Sequence, residues 1–552
     1  MKQFIIGFFV IVFSCGLSIG QGGVRDTFII KYKLDIHLDS ADRPYKSYPK
    51  DVKDRVVKVT PQSYSVKNFE TKLKDENPKI KIYPVAHKQP ENLLGHYVKL
   101  GYGPLYTTPY IEVLTNSKRH NNYQYGAYYN HMSSAKGAVD KKNSGQSYNE
   151  VDLFGKRFGE KQTVGLNLGY TRSRYNYYGY NQSIGIGERD VRDSIKQVYQ
   201  SIYSEVSLEG VDTGKKFTNK NTLGFYYMFD AKNASEWNAY STNKVKLRLA
   251  KGDFSSPLDF YYGAYQNDTI SNNRVFVNLK PAYNSKIGER IYYSVGLNFV
   301  YDNDDYVDAK DIHFYPSLFS SYTFNRLKMM SVYFKIDGGM KRNSFREFTS
   351  ENPYLNSNIS LRNTSTRLNL QLGSKGYITQ GLHYSAFVAY KKIQNLAFYM
   401  NSAADQSKLD VIYEDDPADL FTAKGSLTYS KLKKYELGVI AQYDNYSLPN
   451  YEQAYHLPSF TGKIIVGYYI MPKLKSTVET YFMTGLYGYD FINQKDEALG
   501  GIADLNLGLE YFVNQKLSLF GNFNNLLNKD YERYLHYNTK RFNFIVGLSY
   551  AF

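Results

Sequence analysis

The chain has 552 residues, a formal net charge of +16 and a mean hydropathy of −0.50, and it carries 57 Tyr against one Trp. That length exceeds an ordinary soluble domain but suits a single large barrel, and so much Tyr suits rings placed at a membrane–water boundary. Lys and Arg are spread without a basic tail, which argues against nucleic acid and leaves anionic outer-leaflet lipid or an anionic solute as the complement of the charge.

Met1-Lys2-Gln3 gives a short positive start, Phe4 to Phe13 an apolar core, and Ser18 and Gly20 small residues before a cut at Gln21. This layout predicts a signal peptide over 1–20, because the apolar run is too short to span a bilayer as a helix. The only cysteine, Cys15, offers a rival lipoprotein cut, but Phe13 is bulky for that site. The mature chain then has no disulfide and no cysteine-ligated metal. Gly16-Leu17-Ser18-Ile19-Gly20 matches a nucleophile pattern, yet it lies in the leader without strand–turn–helix context.

Residues 21–95 are polar and interrupted by Pro44, Pro49, Pro61, Pro78, Pro84 and Pro90. They lack a periodic apolar face, so an extended arm is expected, periplasmic or threaded into a lumen, without independent folding.

From residue 96 to 552 the recurring pattern is period-two alternation. Val164, Leu166, Leu168 and Tyr170 alternate with Gly165, Asn167, Gly169 and Thr171; Tyr293, Val295, Leu297 and Phe299 alternate with small or polar residues, as do Leu505, Leu507, Leu509 and Tyr511. The last segment carries Phe542, Phe544, Val546, Leu548, Tyr550 and Phe552 against Asn543, Gly547, Ser549 and Ala551. One face suits lipid and the other a wet lumen. About 22 such segments follow one another, the first near residue 96 and the last near 541. Short connections (156–161, 285–290, 325–328, 431–434, 472–474, 514–516) alternate with long ones (132–148, 172–193, 343–364, 394–419, 444–458, 487–499, 528–540). Short periplasmic turns and long external loops are the signature of an outer-membrane barrel. The fold expected is all-β: a transmembrane antiparallel β-barrel of about 22 strands over 96–552, preceded by a short extended arm. A propeller would need a fixed blade period, which is absent.

Asn524-Asn525-Leu526-Leu527-Asn528-Lys529-Asp530-Tyr531-Glu532, followed by Arg541-Phe542-Asn543-Phe544 and a terminal Tyr550-Ala551-Phe552, resembles the final hairpin of TonB-dependent receptors. His96-Tyr97-Val98-Lys99-Leu100-Gly101-Tyr102-Gly103 as a first strand is similar to plug-poor relatives of Bacteroidetes type. The resemblance implies a 22-strand barrel and recognition of the aromatic C-terminal strand by the outer-membrane assembly machinery. That family also carries a folded N-terminal plug and a TonB-contact box. Residues 21–95 do not read as such a plug, so TonB coupling is not carried over.

Chemistry-bearing clusters are few. His96, His120, His131, His313, His383, His456 and His536 lack metal-ligand spacing with one another. Asp302, Asp304, Asp305, Asp308 and Asp311, and Glu414, Asp415, Asp416 and Asp419, are oxygen-rich loops without EF-hand spacing. Neither a catalytic constellation nor a cofactor or metal site is expected. Lys244, Lys246 and Arg248, alternating with Val245, Leu247 and Leu249, form an expected lumen-facing basic stripe: a surface for an anionic solute, or a rim paired with acidic residues. The function expected is a transport or channel barrel, porin-like and exported to the outer membrane, that is open or closed by its own arm or by a lipoprotein or separate plug partner. The alternative is a non-transporting scaffold. Outer-membrane lipid and lipopolysaccharide are the expected surroundings.

Overall fold

The computed structural model describes residues 95–552 apart from 118–119, 121, 181–190, 211–215, 305–308, 325–329, 380 and 432–433. The leader, Cys15 and the arm expected over 21–95 lie outside the described residues. From His96–Gly103 to Asn543–Ala551 each strand pairs antiparallel with the next, and these two pair with each other, Tyr97 opposite Ala551 and Tyr102 opposite Val546. The result is a closed antiparallel barrel of 22 strands. Closure leaves no row of unpaired N–H and C=O groups, the condition for a sheet to exist in hydrocarbon.

The barrel sheet contains 23 segments because one strand is broken. Ser271–Leu279 and Ala282–Ile287 both lie between Gly252–Gln266 and Ile291–Asp304. Pro281 sits at the break and cannot donate to the ladder. Its carbonyl still accepts from Leu297 N at 3.1 Å. A side chain on Gly296 would collide with that same carbonyl oxygen.

Alternation sorts the two faces. On the first strand Leu100 and Tyr102 are exposed outward while Lys99 is buried, opposite Glu112 on the next strand. Several strands begin before their apolar stretch: Gly252–Gln266 starts with Gly252-Asp253 although its hydrophobic run starts near Leu258. Hydropathy marks the part of a strand in lipid; the hydrogen-bonded ladder continues past it into water.

Three connections expected to be long loops contain hairpins of their own. Leu396–Asn401 pairs with Leu409–Glu414, Leu486–Asp490 with Lys495–Leu499, and Glu532–Tyr534 with Tyr537–Asn538. A seven-residue helix, Phe345–Glu351, lies in the connection between Met330–Lys341 and Thr364–Thr379. Ser344 caps it by accepting from Glu347 N at 3.1 Å. All four elements stand at the end of the barrel opposite both chain termini of the sheet, hereafter the external end.

Candidate functional site: the lumen wall and the external mouth

The inward wall over the second to eighth strands is a belt of carboxylates bound by tyrosines. Glu112 accepts from the hydroxyls of Tyr97 and Tyr110, the latter at 2.6 Å, and Glu150 from Tyr148 at 3.0 Å. Asp152 accepts from Tyr203, and Glu205 from Tyr240 at 3.1 Å. Each long bridge crosses a glycine. A Cβ on Gly169 would fall on the Tyr203 ring and one on Gly224 on the Tyr240 ring. The missing side chain lets the tyrosine lie along the wall and reach a carboxylate two strands away. Much of the Tyr content therefore serves the lumen and the external mouth, in addition to the lipid boundary expected from composition.

At the external end the 342–363 segment is built into the mouth. Glu236, 2% exposed, accepts from Arg346 N at 3.0 Å at the start of the helix and pairs with Arg342 at 3.4 Å. A buried carboxylate between an N–H of the helix start and a guanidinium is well placed electrostatically. Arg274 donates to Asn343 O at 2.7 Å and to Asn363 Oδ1 at 2.6 Å, clamping both ends of the segment. Between them the chain offers carbonyls to hydroxyls of the wall and its rim: Pro353 to Tyr199, Leu355 to Tyr177, Ser357 to Tyr265. Ser357 also donates to Asp230, which accepts from Gln197 at 2.8 Å.

Other external loops pack on this segment. Tyr354 stacks on Tyr537 with centroids 3.6 Å apart and meets Tyr178 edge-on at 5.6 Å. Phe345, Phe348, Leu355, Ile359, Leu361, Tyr399 and Leu409 are all buried in the same cluster. His456 joins three loops. Its Nδ1 lies 2.9 Å from Tyr399 O and its Nε2 accepts from Leu535 N at 3.0 Å, so the ring is neutral with the proton on Nδ1. Burial drives its pKa down from 6.5 to about 3, with Arg533 and His536 acting in the same direction. Loops from distant parts of the barrel rim thus share one apolar core across the mouth.

The residues singled out from sequence fall as follows. Val546, Leu548, Tyr550 and Phe552 are exposed on one side of the last strand, and Phe542 and Phe544 are half-buried at its external end, Phe544 against Phe523. Lys244, Lys246 and Arg248 share the face of Glu236 but lie at the far, periplasmic end of Ser235–Leu249, and Lys246 pairs with Asp253 at 2.9 Å. Asp302 accepts from Asn363 Nδ2 at 2.8 Å. Glu414 is buried and accepts from Asn450 N at 3.0 Å and Asp416 N at 3.3 Å. Both are thus engaged in structural hydrogen bonds. Among the described residues no group of three or more His, Cys, Asp or Glu is placed to hold a metal ion. Sequence reading missed the mouth: Glu236, Arg274 and His456 are single residues without a motif, and only the packed loops give them a role.

No family model matches the chain, and no curated protein matches it by sequence. Solved structures do match by shape. The ferric enterobactin receptor PfeA of Pseudomonas aeruginosa is 13% identical with a TM-score of 0.61, over 83% of this chain and 80% of that one. The FrpB iron transporter of Neisseria meningitidis is 10% identical with a TM-score of 0.63, over 83% and 81%. The ferric-catecholate import receptor Fiu of E. coli K12 is 11% identical with a TM-score of 0.64, over 84% and 82%. At these identities the likeness is one of fold, and it extends over most of each chain: the protein shares the large-barrel fold of these solved structures.

Proposed function

We propose that this chain is an outer-membrane transport barrel, exported by a leader over 1–20, with 21–95 as a polar arm and 96–552 as the barrel. The observation that carries the reading is a closed 22-strand wall with a polar, tyrosine-lined lumen whose mouth is spanned by its own loops. Such a wall serves a polar solute, and a barrel of this architecture is shared with receptors named for iron and siderophore import. The stripe Phe542, Phe544, Val546, Leu548, Tyr550 and Phe552 is the strand that the barrel assembly machinery reads. Lys244, Lys246 and Arg248 form a periplasmic rim with Asp253 that a lipoprotein, a plug partner or a departing anion meets.

The apolar core across the mouth favours a second reading, a closed scaffold without transport. Conductance separates the two. The wild-type barrel in planar bilayers should conduct weakly, and a variant lacking 345–361 should conduct strongly. If that variant folds, as judged by heat-modifiable mobility, and still passes no current, the transport reading fails and the scaffold stands.

A further inference from the structure

Four consecutive strands bring tyrosines to neighbouring positions on the inward wall. Tyr203 on Lys196–Gly210 stands opposite Tyr226 on Phe217–Asp230, and Tyr240 on Ser235–Leu249 opposite Tyr261 on Gly252–Gln266. Tyr240 and Tyr261 stack with centroids 5.7 Å apart. The 342–363 segment lays two arginines on these rings. Arg346 lies 5.1 Å from the centroid of Tyr203 and 4.8 Å from that of Tyr226, and Arg342 lies 5.2 Å from that of Tyr261. Arg342 has a carboxylate as well, Glu236. Arg346 is half-buried, and among the described residues its guanidinium has no ion pair; it rests on ring faces. Negative charge stands behind the rings instead. Tyr203 donates to Asp152 and Tyr240 to Glu205, and a hydroxyl bonded to a carboxylate makes its ring richer in electrons.

Electron-rich ring faces hold flat cations, and guanidinium stacks on them better than a compact ammonium does. Here the occupant is a side chain of the segment that closes the mouth. We infer that Tyr203, Tyr226 and Tyr240, backed by Asp152 and Glu205, form a lumen site for the guanidinium group of a solute, which Arg346 fills while the mouth is closed. Solute and Arg346 exclude each other. A solute seated on the rings therefore favours the state in which the 342–363 segment has left the wall, by its preference for that state. The transport reading supplies only the route by which the solute arrives.

The test uses the full barrel purified in detergent, with agmatine as probe. The control is carbamoylputrescine, in which a neutral urea replaces the guanidinium. In the wild type, agmatine should accelerate hydrogen exchange of the 345–361 amides, and carbamoylputrescine at the same concentration should not. Calorimetric titration should show agmatine binding Arg346→Ala at least about tenfold more tightly than the wild type, because the internal competitor is gone. Adding Tyr226→Leu to Arg346→Ala should weaken that binding by about tenfold. Unchanged exchange in the wild type, or equal acceleration by carbamoylputrescine, overturns the proposal. So does equal affinity of the wild type and Arg346→Ala, or of Arg346→Ala with and without Tyr226→Leu. The exchange arms need only the wild-type barrel, so they decide the matter even if a variant does not assemble. Conductance of the variant lacking 345–361 tests the transport reading separately: a barrel that binds agmatine and passes no current loses that reading and keeps this site.

Discussion

At the scale of single residues, the external mouth depends on buried polar groups with one arrangement each. His456 stays neutral in the closed cap, with a pKa near 3 against 6.5 when exposed. Below pH 6.5 an opened cap takes up a proton that the closed one refuses. The stability due to this group is therefore complete above 6.5 and falls by about 1.4 kcal/mol per pH unit down to about 3. Hydrogen exchange of the cap amides, corrected for intrinsic rates, should accelerate over that window in the wild type. His456→Gln should give a flatter profile, and an unchanged one would remove His456 from the account. Glu236→Ala leaves Arg342 buried without its carboxylate and the helix start without an acceptor. Breaking a buried pair on one side costs about 3–5 kcal/mol, enough to release the 342–363 segment. Limited proteolysis should then cut there while the barrel stays intact; a segment as resistant as in the wild type would count against the anchor. On the lumen wall, Gly224→Ala pushes the Tyr240 ring from its seat. The overpacking should cost about 1–3 kcal/mol, read as a lower melting temperature of the detergent-solubilised barrel, and no change would mean the ring has another place to go.

At the scale of elements, the last strand is where a facing assignment can be tested. Val546 is exposed, and a Lys there puts a charge into lipid at a cost of about 2–4 kcal/mol near mid-membrane. Asn522, on the preceding strand opposite Ile545, faces the lumen, where a Lys should cost much less. Gly547 also faces inward, but any side chain there strikes the Leu100 carbonyl and the Phe520 ring, so a charge placed there would report overpacking and not solvation. Val546→Lys should lower the heat-modifiable folded fraction and Asn522→Lys should not; the reverse order would invert the faces of this hairpin. Deletion of Tyr550-Ala551-Phe552 should reduce assembled barrel more than Val546→Lys does. It removes the seam in which Tyr550 lies between Val98 and Leu517 and Phe552 N donates to His96 O at 2.9 Å.

At the scale of the molecule, the cap behaves as one packed body because its stacked tyrosines come from different loops. Tyr354→Ala and Tyr537→Ala remove two halves of one stack, so their effects on cap opening should be less than additive. In planar bilayers each single variant should raise conductance, and the double variant should add little beyond the larger single effect. Full additivity would mean that the two rings act in separate contacts.

The sequence by itself determined the barrel. Period-two alternation is a local property that repeats in every strand, and the solvents on its two faces act on each residue separately. Strand order, the alternation of short and long connections and the closure of first upon last strand follow from that pattern with little help from tertiary detail. The broken strand at Pro281 was not read from the sequence: a proline cannot donate to the ladder, but nothing local says that its carbonyl would still pair. What only the tertiary structure decided was the mouth. Glu236, Arg274, Tyr354 and His456 lie far apart in the chain, and each acts through partners that other loops deliver. The tyrosines belong to both accounts. Their number was plain in the sequence, but whether a ring meets lipid, a carboxylate across a glycine or another ring in the cap depends on the packing of distant segments. No local pattern encodes that choice.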